Sequence, residues 1–165
     1  MTPFFGEFGN EQIIDCNNFW CYLKIMKQFE TIDISGDVGI RVFGRDLKEL
    51  FGNAALGMYS LITDVKDIEE KKRIAISAES SSIDGLLVSY LNELIFYFDA
   101  YDFIGKRTKM IEFDPSGFRL KAEIIGEDFD IGRHERKLLL KAATYHRLKI
   151  GEKDGIYQAE IIFDI

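Results

Sequence analysis

An α+β fold, a single domain in which two amphipathic helices pack on antiparallel-rich β-sheets, is the architecture the sequence predicts. Three observations carry it. Two segments have an apolar period near 3.6, several others alternate with a period of two, and turn residues join neighbouring strands as hairpins.

The elements follow in order. "KQFETIDI" and "DVGIRVF" read as two strands around Ser35 and Gly36, with Val38, Ile40 and Val42 alternating against Gly39 and Arg41. "RDLKELFGNAALGMYSLIT" reads as a helix that opens at Asp46, with Glu49 three residues on as in a capping box. Leu47, Leu50, Phe51, Ala54, Ala55, Met58 and Leu61 line one face of it. "KKRIAISAE" is a third strand. A second helix follows, capped by one of Ser80, Ser81 or Ser82 and carrying Ile83, Leu86, Leu87, Tyr90, Leu91, Leu94, Ile95 and Phe98 at helical spacing. "RTKMIEFDPSGFRLKAEII" is a hairpin turning at Asp114 to Gly117. After a polar loop, "GEDFDIGRHER", a second hairpin runs from "LLKAATYHRLKI" to "GIYQAEIIFDI" around residues 151–155.

Residues 1–25 stand apart. They hold Phe4, Phe5, Phe8, Phe19 and Trp20 with no clear period, and the pattern sharpens only from Met26. They are read as an N-terminal extension preceding a domain over 26–165. Either the start is assigned too far upstream, or the aromatics form an arm that docks on the domain.

Composition narrows the function classes. A net charge of −7 repels phosphate, so weak or no direct nucleic-acid binding is expected. No apolar run is long enough to cross a bilayer, and Glu7 and Glu11 stand where a secretory signal is basic, so a cytoplasmic protein without a membrane partner is expected. Cys16 and Cys21 lack partners at metal spacing and read as free thiols. Phosphate-loop, dinucleotide and zinc-protease motifs are missing, as is any recognisable Ser or Cys nucleophile motif. His134 falls in the polar loop. His146 falls in "ATYHRL", read as strand, where a partly buried, hydrogen-bonded imidazole is the plain reading and a catalytic or binding role the sharper one.

The carboxylates remain. Asp33 and Asp37 flank a turn, and Asp164 is next to last, pointing away from the face shared by Tyr157, Ala159, Ile161, Phe163 and Ile165. A strand ending at Ile165 also presents its terminal carboxylate. If these segments meet, like charges converge with few cations nearby, which a hard divalent cation with oxygen ligands relieves. Otherwise Asp37 merely orders a turn and Asp164 is solvated.

Four segments together resemble the archease family. "DISGDVGIRVFGRDLKELFGNAALGMYSLITD" is similar to its opening Asp-His-Thr-Ala-Asp-Ile-Gly segment and the helix that follows. "LLVSYLNELIFYFD" resembles its second helix, "KAATYHRL" its Lys-Ala-x-Thr-x-His segment, and "IFDI" its usual ending. The resemblance covers residues 27–165 in order. It implies a non-catalytic cytoplasmic activator of an RtcB-type RNA ligase in tRNA splicing, promoting ligase guanylylation and repeated turnover. The alternative it carries is a chaperone-like modulator of a tRNA methyltransferase. It also implies a divalent metal, Ca2+ by the family's description, on Asp37, Asp164 and the terminal carboxylate of Ile165, with Asp33 and His146 as supporting positions. The chain departs from the family where His-Thr-Ala reads Ile34-Ser35-Gly36. A different class, a one-metal hydrolase using Asp37, Asp164 and His146, lacks the further ligands and general base that such chemistry needs.

Overall fold

The computed structural model describes residues 27–165, so the extension over residues 1–25 lies outside the described residues. The described chain forms β1 (Phe29–Ile34), β2 (Asp37–Gly44), α1 (Leu47–Ile62), β3 (Lys72–Glu79), α2 (Ile83–Tyr101), β4 (Phe103–Asp114), β5 (Arg119–Asp128), β6 (Ala142–Ala143), β7 (Gly151–Lys153) and β8 (Ile156–Asp164). Their pairings are antiparallel and make two sheets. One has the order β1-β2-β8-β6, with β7 also on β8, and the other the order β3-β5-β4.

Helix α1 packs on β2 of the first sheet and β4 of the second, and α2 packs on β3, β4 and β6. The helices therefore form a layer between the sheets, and the expected α+β single domain is what the chain adopts. The core is continuous through all three layers: Ile40, Ile161 and Phe163 of the first sheet, Leu50, Met58 and Leu91 of the helices, and Ile76 and Ile124 of the second sheet belong to one buried cluster. Alternation explains the sheets' share, because residues two apart on a strand point to one face.

Local chemistry fixes the helix ends. Asp46 has extended backbone and accepts a hydrogen bond from the Glu49 amide at 2.8 Å. The Glu49 carboxylate returns to the Arg45 amide at 2.6 Å, one residue earlier than in a reciprocal capping box. Of the three serines before α2, Ser82 is the cap, accepting from the Gly85 amide at 3.0 Å. At the far end Asp102 takes the left-handed conformation (φ 54°), and β4 starts at the next residue.

Three stretches differ from the sequence expectation. Strand β4 begins at Phe103, not Arg107, and β5 continues to Asp128, into the expected loop. Gly126 permits this: a Cβ there would stand 1.9 Å from the Ile104 carbonyl oxygen, so only glycine lets the two backbones meet. The third difference is a correction. The long strand expected across "LLKAATYHRLKI" is only the two-residue β6. Ala143 pairs with Phe163 and Gly151 with Gln158, leaving residues 144–150 opposite residues 159–162. Seven residues cannot pair with four, so the excess leaves the sheet as a loop in which Arg147 takes φ 58°. His146 lies in that loop and is exposed, not in a strand.

Candidate functional site: the acidic end of the five-stranded sheet

The hairpin joining β1 and β2 closes on Ile34 and Asp37, which pair directly, with Gly36 at φ 90° supplying the turn. Asp37 is thus the first residue of β2. Strand β2 pairs with β8 so that Val38 faces Phe163. The next rung of this antiparallel register has Asp37 opposite Asp164, and directly opposed residues point to the same face. On its other side Asp164 pairs with Ala142, and its carbonyl accepts from the Lys141 amide at 2.8 Å. The backbone beneath both aspartates is therefore held by neighbours.

Their side chains are not. Asp37 and Asp164 are exposed, Ile165 is 48% exposed, and among the described residues none of the three carboxylates makes an ion pair or side-chain hydrogen bond. Two like charges on one rung repel each other. The donors are all oxygen, matching a hard cation such as Ca2+ or Mg2+ and not the nitrogen and sulfur ligation typical of zinc. Among the described residues no three His, Cys, Asp or Glu side chains group closely enough to hold a metal.

The supporting candidates are elsewhere. Asp33 pairs with Val38, which puts it on the opposite face of the sheet from Asp37. His146 sits in the exposed loop, where its amide bonds the Thr144 hydroxyl at 3.3 Å.

Sequence reading missed the most tightly partnered ionic cluster. Glu127, at the end of β5, is 3% exposed, and His134, expected in a polar loop, is 2% exposed. Glu127 accepts from Arg133 at 2.5 and 3.1 Å, from the Glu69 amide at 2.8 Å and from His134 Nε2 at 3.0 Å. His134 Nδ1 accepts from the Asp130 amide at 2.9 Å, so the ring proton sits on Nε2 and points at Glu127. Burial alone would raise the Glu127 carboxyl, but the Arg133, Glu69 and His134 hydrogen bonds outweigh it and hold the group at about 2. The spacing of Glu127, Arg133 and His134 in the "polar" stretch was the available signal. This knot ties the loop after β5 to the 3-10 turn at Val65–Asp67, where Arg133 also reaches the Asp67 carbonyl at 3.3 Å.

Two open clefts of about 1140 and 1160 Å³ flank the helices, and neither is lined by Asp37, Asp164 or Ile165. Among the described residues no helix is long and apolar enough to cross a membrane.

Comparison with known proteins agrees across family, sequence and structure. Residues 29–165 match the Archease protein family (MTH1598/TM1083). The archease of Sulfolobus acidocaldarius is 34% identical over 140 residues, covering 85% of this chain and all of that protein. The archease of Methanothermobacter thermautotrophicus is 36% identical over 143 residues, with the same shares covered. The solution structure of Methanobacterium thermoautotrophicum protein 1598 superposes with a TM-score of 0.66 at 33% identity, covering 84% of this chain and 99% of that one. A Thermotoga maritima crystal structure of an archease, described as a possible chaperone, has a TM-score of 0.51 at 17% identity, covering 82% and 96%, and shares the fold.

Proposed function

The chain belongs to the archease family, and from that premise we propose that it is a non-catalytic, cytoplasmic accessory protein that activates an RtcB-type RNA ligase in tRNA splicing and RNA repair. It promotes guanylylation of the ligase and so allows repeated turnover. The observation that carries this reading is the unneutralised Asp37–Asp164 rung at the exposed end of the sheet.

Asp37, Asp164 and the terminal carboxylate of Ile165 would hold a divalent cation, Ca2+ being favoured by the all-oxygen donor set. When bound, such an ion supplies a concentrated positive charge that can organise anionic groups on a partner. The chain's own residues do the rest. Extending the β2–β8 register one rung beyond Val38 and Phe163 puts Asp37 opposite Asp164, and the Lys141 amide bonds the Asp164 carbonyl. An acidic chain of net charge −7 is better suited to a protein partner than to RNA itself.

The test is ligation of excess tRNA halves by limiting RtcB-type ligase with GTP. The native chain is expected to raise turnovers well above one per ligase, and Asp37→Asn, or a short tail appended after Ile165, is expected to abolish that gain. An active ligase that ignores the native chain removes the basis for this function. A change in the site preference of a tRNA methyltransferase under the same conditions would then favour the chaperone-like alternative.

A further inference from the structure

We propose that the groove between α1 and β4 binds an extended acidic segment of a partner protein, with apolar side chains interspersed among its carboxylates. The groove is the cleft of about 1140 Å³, and Arg45, Lys48, Lys66, Lys106 and Arg107 line it against three acids, Asp46, Glu49 and Glu70. Five cations less three acids leave its wall at +2, on a chain whose net charge is −7. The acids are already engaged. Glu49 holds Arg45 at 3.1 Å, Glu70 holds Arg107 at 3.0 Å, and the Asp46 carboxylate caps α1. Lys106 donates to a neutral group, the Ile68 carbonyl, at 2.8 Å. Lys48 and Lys66 are exposed and, among the described residues, make no ion pair or side-chain hydrogen bond. Three ammonium groups of the groove are therefore not matched by a carboxylate of the described chain.

The spread of those charges selects the occupant. Helix α1 has 16 residues and spans about 24 Å. Lys48 is in its first turn and Lys66 just past its last, so the cations are strung along the groove and do not converge on one point, as a phosphate group requires. A strand of RNA fits poorly too. The arginines that would fork to its phosphates are held by glutamates, and among the described residues no aromatic ring lines the groove to stack its bases. A long polyanion also meets the field of the whole acidic chain, whereas a short segment feels chiefly what lies within a Debye length, about 8 Å at physiological salt. Leu56, Val65 and Met110 supply apolar lining for the side chains between its carboxylates. Among the described strands β4 is at the edge of its sheet, and an extended segment is what an edge strand accepts. Gly52 is an independent sign that the groove is kept open. It lies inside α1, where glycine is a poor helix former, yet a Cβ there would meet nothing within 4 Å. Packing gives no reason for a glycine at this position. Because Gly52 lines the groove, a larger side chain would project into the space that the segment takes.

The test titrates the isotope-labelled full-length protein with a synthetic peptide of alternating Glu and Leu and follows amide shifts by NMR. Saturable shifts are expected at Lys48, Gly52, Leu56 and Thr108. Lys48→Glu and Lys66→Glu should each weaken binding about tenfold, whereas Lys109→Glu, the same change of charge on β4 outside the groove, should leave it within about twofold. Gly52→Leu fills the groove without altering charge: it should abolish binding while raising Tm, since leucine is the better helix former. Failure of the peptide to produce saturable shifts, or shifts confined to another surface, overturns the proposal. So does equal weakening by Lys109→Glu and Lys66→Glu, which would mark a net-charge effect, or unchanged binding in Gly52→Leu. Oligouridylate or inorganic triphosphate shifting the same amides at lower concentration than the peptide also overturns it, in favour of RNA or a small phosphate ligand. None of these readouts involves the ligase or the Asp37–Asp164 rung.

Discussion

Glu127 and the Asp37–Asp164 pair are acids at the ends of β-strands in one sheet-and-helix domain, and their surroundings are opposite. Glu127 is 3% exposed, with its oxygens taken by a guanidinium, an imidazole and a backbone amide. Asp37 and Asp164 are exposed and, among the described residues, have no such partners. A carboxylate neutralised from within contributes to folding. A pair left unneutralised on a fixed frame contributes little to folding and is available to something that arrives from outside.

The strongest way to break this contrast is Glu127→Ala. It strands Arg133 and His134 without their acceptor and is expected to cost about 3 kcal/mol of stability, read from urea denaturation. Acid tests the same group without mutation. The folded carboxyl lies at about 2 against an ordinary 4.5, so its stabilisation is complete above pH 4.5 and disappears as pH falls through 2. The loss over that window is on the order of 3 kcal/mol, and the slope should vanish in Glu127→Ala.

A slightly smaller effect is expected at the other acids. Ca2+ at one hundred times its dissociation constant should stabilise the protein by about 2.7 kcal/mol, seen as a rise in Tm, and Asp37→Asn should abolish the rise. A native chain whose Tm ignores millimolar Ca2+ and Mg2+ alike would remove the metal from the proposed site. The smallest effect sharpens the comparison most. Without metal, Asp37→Asn and Asp164→Asn should change stability by no more than about 0.5 kcal/mol, with the sign towards stabilisation because a like-charge rung is relieved.

Both helices were legible because each buries one continuous stripe, and a stripe of period 3.6 survives whatever it packs against. The hairpin at Asp114 was legible because its turn is local: the Asp114 carboxylate accepts from the Gly117 amide at 2.9 Å. What failed depended on partners distant in sequence. "KAATYHRLKI" alternates well enough for a strand, but its mate offers too few residues, which only the β8 register reveals. "GEDFDIGRHER" looks solvated because its charges are visible in sequence and their mutual neutralisation is not. In the site, the residue types of Asp37 and Asp164 were legible, whereas their neighbourhood came only from the β2–β8 pairing.

That pairing also has a consequence in time. Strand β8 is last in chain order, yet it lies between β2, among the first strands, and β6. On a ribosome the three-stranded sheet and both helices can assemble while β2 still lacks its neighbour. The contact that closes the larger sheet spans most of the chain and is slow to form for that reason. Until β8 emerges, β2 presents an open edge beside Ile40 and Val42, the kind of surface on which nascent chains adhere to one another. A truncation that removes β8 should therefore do more than delete two carboxylate positions: it should leave the nascent domain sticky and dependent on chaperones.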